Sequence, residues 1–184
     1  VYPSFPMTHV VSMPDVLAEI DAFRAELAKR FISFDPGDVD EKLLLEEALA
    51  AAREGRDFIE PQAGSFAGGK GPPLRVSVKQ VLDCAGDIDG QIYMRDFKLI
   101  DQSDMIVSLV PELPGGIPGL SSGVERELQH AFEHGKEVYV VWKPGKSPSP
   151  FITETATKVF KTTREAMDYF EAAGMFPTTN LFGH

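Results

Sequence analysis

The chain has 184 residues, 43% apolar and 25% charged, the balance of an ordinary folded protein with one buried core rather than of a disordered chain. A net charge of −10 and a pI near 4.8 offer no basic face to a nucleic-acid polymer, so any phosphate ligand has to be held by a local device such as a helix N-terminus. The apolar runs, such as 138–142, fall far short of the ~20 residues that span a bilayer, so no membrane partner is expected.

Residues 1–10 lack a basic segment followed by a long apolar stretch, so no secretory leader is expected there. Cys84 is the single cysteine. It allows no disulfide within this sequence and agrees with a reducing, cytoplasmic setting.

In chain order, residues 1–2 close a first strand and 3–11 form a loop. Ser12 reads as the N-cap of a helix with Pro14 and Asp15 in its first turn. Val16, Ile20, Phe23 and Leu27 recur at helical spacing and face the core. Residues 31–34 read as a second strand, ended by Asp35, Pro36 and Gly37. Residues 43–53 are strong helix formers, and 64–73 form a Gly/Pro-rich loop. That loop lacks the Gly-Lys-Ser/Thr ending and the flanking strand and helix of a nucleotide-triphosphate loop, so it reads as a surface insert or lid.

Residues 90–103 then read as a helix, 105–110 as a buried strand and 111–120 as a Pro/Gly-rich loop. A helix over 122–134, closed by Gly135, is followed by a buried strand over 138–142 and a short last strand over 158–160. Thr162 and Glu165 form a capping box that opens a final helix to 173. Continuous apolar strands alternating with helices predict one α/β domain over 1–184, flavodoxin-like or Rossmann-like. It would be a doubly wound parallel sheet of about five strands, helices on both faces, with a long insert of about 36–89 after the second strand.

Ligands of such sheets bind at the carboxyl ends of the strands. The loop over 111–120 leaves one of those ends and runs into Ser121-Ser122-Gly123-Val124-Glu125-Arg126-Glu127 at a helix start. Hydroxyls, a glycine and free backbone N–H groups meet there, which is a physical anion site. Ser122 and Glu125 have capping-box spacing, so Glu125 reads as structural. Glu127 points about 200° away from it around the helix. A carboxylate in that place suits a nucleophile. His9 and His130 lack a partner pattern, so no metal is expected, and His130 reads as a surface residue.

The run Ser121 to Ala131, followed by Gly135-Lys136, resembles the signature of the nucleoside 2-deoxyribosyltransferase superfamily. It is most similar to the branch of 2'-deoxynucleoside 5'-monophosphate N-glycosidases, with a serine, a Gly-Val pair, a Glu-Leu pair and an alanine at the same intervals. Asp96, eight residues before Asp104 at the opening of a buried strand, matches as well, and Tyr2 corresponds to the family's tyrosine. The resemblance is loose over 1–34 and good over 96–173.

It implies hydrolysis of the N-glycosidic bond of a nucleoside 5'-monophosphate, with deoxyribose a candidate sugar. Glu127 would attack the anomeric carbon, Tyr2 would orient Glu127, and Asp96 would protonate the leaving base. Ser121 would hold the 5'-phosphate with Ser122, Gly123 and the helix N–H groups. Ser4, Thr8 and His9 of the first loop would add donors. The resemblance implies no cofactor and no metal, a small-molecule nucleotide or nucleoside as ligand, and a homodimer or higher homo-oligomer.

The departures are specific. The transferases carry an aspartate at the place of Ser121, and a serine there favours a phosphorylated substrate and hydrolysis. The first loop has no arginine, glycine is replaced by Gln129, and the insert is longer than the family needs. Two other readings are a non-catalytic nucleotide sensor and a transferase that exchanges bases.

Overall fold

The computed structural model describes residues 1–7, 10–38, 41–60 and 75–176. The chain forms two compact units, residues 1–35 with 97–184, and residues 36–96. The second unit begins where the insert was expected to begin and ends at 96 instead of about 89.

The first unit opens with strand β1 (Tyr2–Ser4) and helix α1 (Pro14–Arg30). The second unit holds α2 (Glu41–Arg53), β2 (Phe58–Ile59), β3 (Val76–Ser77) and α3 (Val78–Cys84). Strands β2 and β3 pair antiparallel. Ala48, Ala51, Ile59 and Val78 form the small core of this unit. Helix α4 (Ile88–Gln102) leads back into the first unit. There follow β4 (Met105–Val110), β5 (Glu112–Leu113), β6 (Ile117–Pro118), α5 (Ser122–Glu133), β7 (Glu137–Trp142), α6 (Pro150–Thr153), β8 (Lys158–Phe160) and α7 (Thr163–Ala172).

The main sheet has four parallel strands in the order β1-β4-β7-β8. Strand side chains alternate between faces, and the two cores show it. Met105, Val107, Leu109, Tyr139 and Val141 pack with Ile20, Phe23 and Leu27 of α1 and Phe170 of α7. Ile106, Val110, Val138, Val140 and Trp142 pack on the other face with Ile100, Val124, Leu128, Ala131 and Ile152. Both middle strands are buried on both sides over most of their length, which is why they read as largely apolar runs rather than alternating ones.

The expected second strand is not a strand. Residues 32–35 are irregular, although they run beside β1. The Val1 amino group donates to the Ile32 carbonyl at 2.8 Å, and Phe34 N–H donates to the Val1 carbonyl at 2.8 Å. A parallel ladder uses alternate residues on each side of a strand. After Val1 the next donor on this side would be Pro3, which has no N–H. The ladder stops there, and the sheet has four strands instead of about five.

The expected Ser12 cap is also displaced. Met13 is the N-cap of α1 and makes no side-chain cap bond. The α7 cap keeps half of its motif: Thr162 Oγ1 accepts from Glu165 N–H at 3.1 Å, and the Glu165 carboxylate accepts from Lys161 N–H at 2.8 Å, one residue before the cap. Thr162→Ala is expected to cost about 1 kcal/mol of stability in urea melts. The loop over 64–73 lies outside the described residues. Among those residues, no helix is long and apolar enough to cross a membrane.

Candidate functional site

Helix α5 sits on the sheet through Val124, Leu128 and Ala131. Glu127 follows Val124 by three residues and precedes Ala131 by four, so it shares that inward flank. Its carboxylate is therefore carried to the sheet rather than to open solvent, and it is half-buried. On β1, Tyr2 and Ser4 are two apart and present the same face. Tyr2 belongs to the cluster that contains Val124 and Leu128.

These two placements meet. Tyr2 Oη donates to Glu127 Oε1 at 3.0 Å, and Ser4 Oγ donates to Oε2 at 2.6 Å. The second distance lies in the range of a charge-assisted O–H···O⁻ bond. Tyr2 and Ser4 are both 0% exposed, so neither donor can swing away without repacking. One donor on each carboxylate oxygen fixes the orientation of the group. The cluster sits at the carboxyl end of β1, beside β4.

Ser108 adds a third hydroxyl. It is the register partner of Ser4 on β4, fully buried, and its Oγ has no hydrogen-bond partner among the described residues. Nothing in the sequence beyond a lone hydroxyl within an apolar strand marked it. Ser4 was expected to line the first loop toward a ligand. It is instead the last residue of β1 and serves Glu127 directly.

At the helix start the caps differ from the expected capping box. Ser121, not Ser122, is the N-cap, and its Oγ accepts from Val124 N–H at 3.2 Å. Glu125 is exposed, and its N–H donates to the Ser121 carbonyl at 3.0 Å. The N–H groups of Ser122 and Gly123 point out of the first turn without an intrahelical acceptor. A Cβ at Gly123 would meet only Ser121 Oγ, at 3.6 Å, so packing does not require the glycine. The side chain of Ser122 lines a groove with Arg126 and Phe151 on the flank toward α6. It does not join Glu127.

Asp96 lies on α4 within the second unit. Burial pushes its carboxyl above the ordinary value of 3.8, against the opposing pull of Arg95, whose Nη2 is 2.9 Å from Oδ1. A raised value means that the contribution of this group to stability is full below 3.8 and is lost as pH rises through the folded value. Asp96→Asn is therefore expected to raise the thermal midpoint at pH 7 relative to the parent chain and to lose that advantage near pH ~3.

Thr8 and His9 lie outside the described residues. His130, expected to have no partner pattern, has one: its Nε2 lies 2.7 Å from Asp101 Oδ1. The i,i+4 spacing of His130 and His134 was the available signal. No family model, curated protein or solved structure matches this chain.

Proposed function

We propose that this protein hydrolyses the N-glycosidic bond of a nucleoside 5'-monophosphate, as a member of the nucleoside 2-deoxyribosyltransferase superfamily. The observation that carries the reading is the clamp on Glu127, a half-buried carboxylate on a helix held by one hydroxyl on each oxygen. A solvated helix glutamate does not need two buried donors. A nucleophile that must meet one carbon does.

In this reading Glu127 attacks the anomeric carbon as the bond to the base breaks. The resemblance assigns protonation of the leaving base to Asp96, a role that calls for a raised pKa, and burial pushes this carboxyl above its ordinary value. Water then cleaves the glycosyl ester and releases the sugar phosphate. Tyr2 and Ser4 orient the carboxylate. The 5'-phosphate binds the Ser121 hydroxyl and the N–H groups of Ser122 and Gly123, where the helix dipole offsets the acidic field of the chain.

The finer fold assignment belongs to the same reading. With 31–35 beside β1, the order becomes that segment, β1, β4, β7, β8, the flavodoxin-like order of a doubly wound sheet. Its switch point falls between β1 and β4, where Glu127 is clamped. A cytoplasmic homo-oligomer completes the proposal. The test is incubation with a panel of ribo- and deoxyribonucleoside 5'-monophosphates and chromatography of the released base. Ligand binding without base release would leave a nucleotide sensor. An exchanged nucleoside after addition of a second base would make the protein a transferase.

A further inference from the structure

At the far end of α5 from the clamp, three side chains converge. His130 and His134 stand one helical turn apart, and Asp101 approaches from α4, one residue before its end. One ligating atom from each of the three lies within 4.8 Å of the others. We propose that Asp101, His130 and His134 form a binding site for a borderline transition-metal dication of the Zn²⁺ class, pinning the end of α4 to the end of α5.

The donor set is two imidazoles and a carboxylate, which suits Zn²⁺, Co²⁺ or Ni²⁺ rather than Mg²⁺ or Ca²⁺. His134 is already oriented for it. Its Nδ1 lies 2.8 Å from the His130 carbonyl. A carbonyl only accepts, so Nδ1 carries the proton and the lone pair is on Nε2. A backbone carbonyl on the second nitrogen is the usual support of a metal-bound histidine.

His130 is held on its other flank by the Phe97 ring, 4.5 Å away between centroids, and faces His134 at 4.0 Å. Its Nε2 and Asp101 Oδ1 lie 2.7 Å apart, a contact that a bound metal would replace. Two ligands on one tetrahedral ion sit about 3.3 Å apart for bonds of ~2.05 Å. The pair has to open by about half an ångström, which the exposed Asp101 carboxylate allows.

The local field favours a cation on two counts and opposes it on one. The site lies at the C-terminal ends of two helices, the negative ends of their dipoles. Lys136 is the opposing charge, but its ammonium is occupied by the carbonyls of Asp101 and Ser103, at 2.8 and 2.7 Å. Three protein ligands leave a fourth position for water. The site shares no residue with the Glu127 clamp, so it stands whether or not the glycosidase reading does.

The full chain, stripped with a chelator and desalted, is titrated with Co²⁺ in the visible range and with Zn²⁺ by calorimetry. One saturable ion per chain is expected, with no binding of Mg²⁺. His134→Ala and Asp101→Asn should each weaken Zn²⁺ by at least about 10-fold, the lower bound for loss of even an outer partner of a metal ligand. His184→Ala serves as the control for terminal histidine and should leave the affinity unchanged. Circular dichroism confirms that the variants fold, and His134 is exposed. Absence of saturable binding would overturn the proposal, as would Zn²⁺ affinity undiminished in both His134→Ala and Asp101→Asn.

Discussion

Glu127→Ala is expected to lower base release by about 10³-fold or more, the loss of over ~4 kcal/mol of transition-state stabilisation. The size follows from the role. In the proposed mechanism the carboxylate forms the bond that replaces the glycosidic one, so its removal leaves positioning and phosphate binding but no attacking group. KM should change little if the phosphate end supplies most of the ground-state binding.

Removal of the carboxylate also leaves the hydroxyls of Tyr2 and Ser4, both buried, without that acceptor, at a cost of about 1–3 kcal/mol in stability. The thermal midpoint must therefore be measured beside the rate. Azide provides a control that misfolding cannot imitate. In the space vacated by the side chain it attacks the same carbon, so the products are free base and a glycosyl azide. Unchanged base release in a folded Glu127→Ala chain would remove Glu127 from the mechanism.

Part of the clamp is legible in the sequence: the Tyr2–Glu127 pair through the family resemblance, but not the Ser4 bond. Val124, Leu128 and Ala131 mark the buried stripe of α5, and Glu127 falls on the same flank at i+3 and i−4. Strands β4 and β7 were legible because both their faces are buried, which leaves mostly apolar runs rich in β-branched residues. The edge of the sheet was not. The apolar run over 31–34 has strand composition, yet its pairing depends on one residue of another segment, Pro3, that cannot donate.

The cap at Ser121 was misplaced by one position because two adjacent serines offer the same chemistry, and only backbone geometry chooses between them. The small elements β2, β3, β5, β6 and α6 are two to four residues long. They are too short for either period to register. The partner of His130 is Asp101, 29 residues away in sequence, so local spacing offers at most the i,i+4 pair of histidines, which the reading of His130 as an unpartnered surface residue passed over, and not the carboxylate that completes the cluster.

Ser4 gives the second large effect. Ser4→Ala and Tyr2→Phe each remove one O–H donor from the carboxylate. Together they are expected to lower kcat by about 10²-fold, the cost of a misplacement near 1 Å. Each single change should cost about 30-fold, so the double loss falls short of the product of the singles, because both donors hold one group. Both residues act through Glu127, so the loss should appear in kcat with KM nearly constant.

Stability separates positioning from packing. Ser4→Thr keeps the hydroxyl but forces a methyl group into a site that is 0% exposed, which is expected to cost about 1–3 kcal/mol. Ser4→Ala adds no volume but deprives Oε2 of its short bond. If Ser4 positions the nucleophile, the threonine chain keeps most of its kcat despite a lower thermal midpoint, and the alanine chain loses kcat whatever its midpoint. A rate that tracked the midpoint across Ser, Thr and Ala, indifferent to the hydroxyl, would make Ser4 a packing residue and the 2.6 Å bond irrelevant to chemistry.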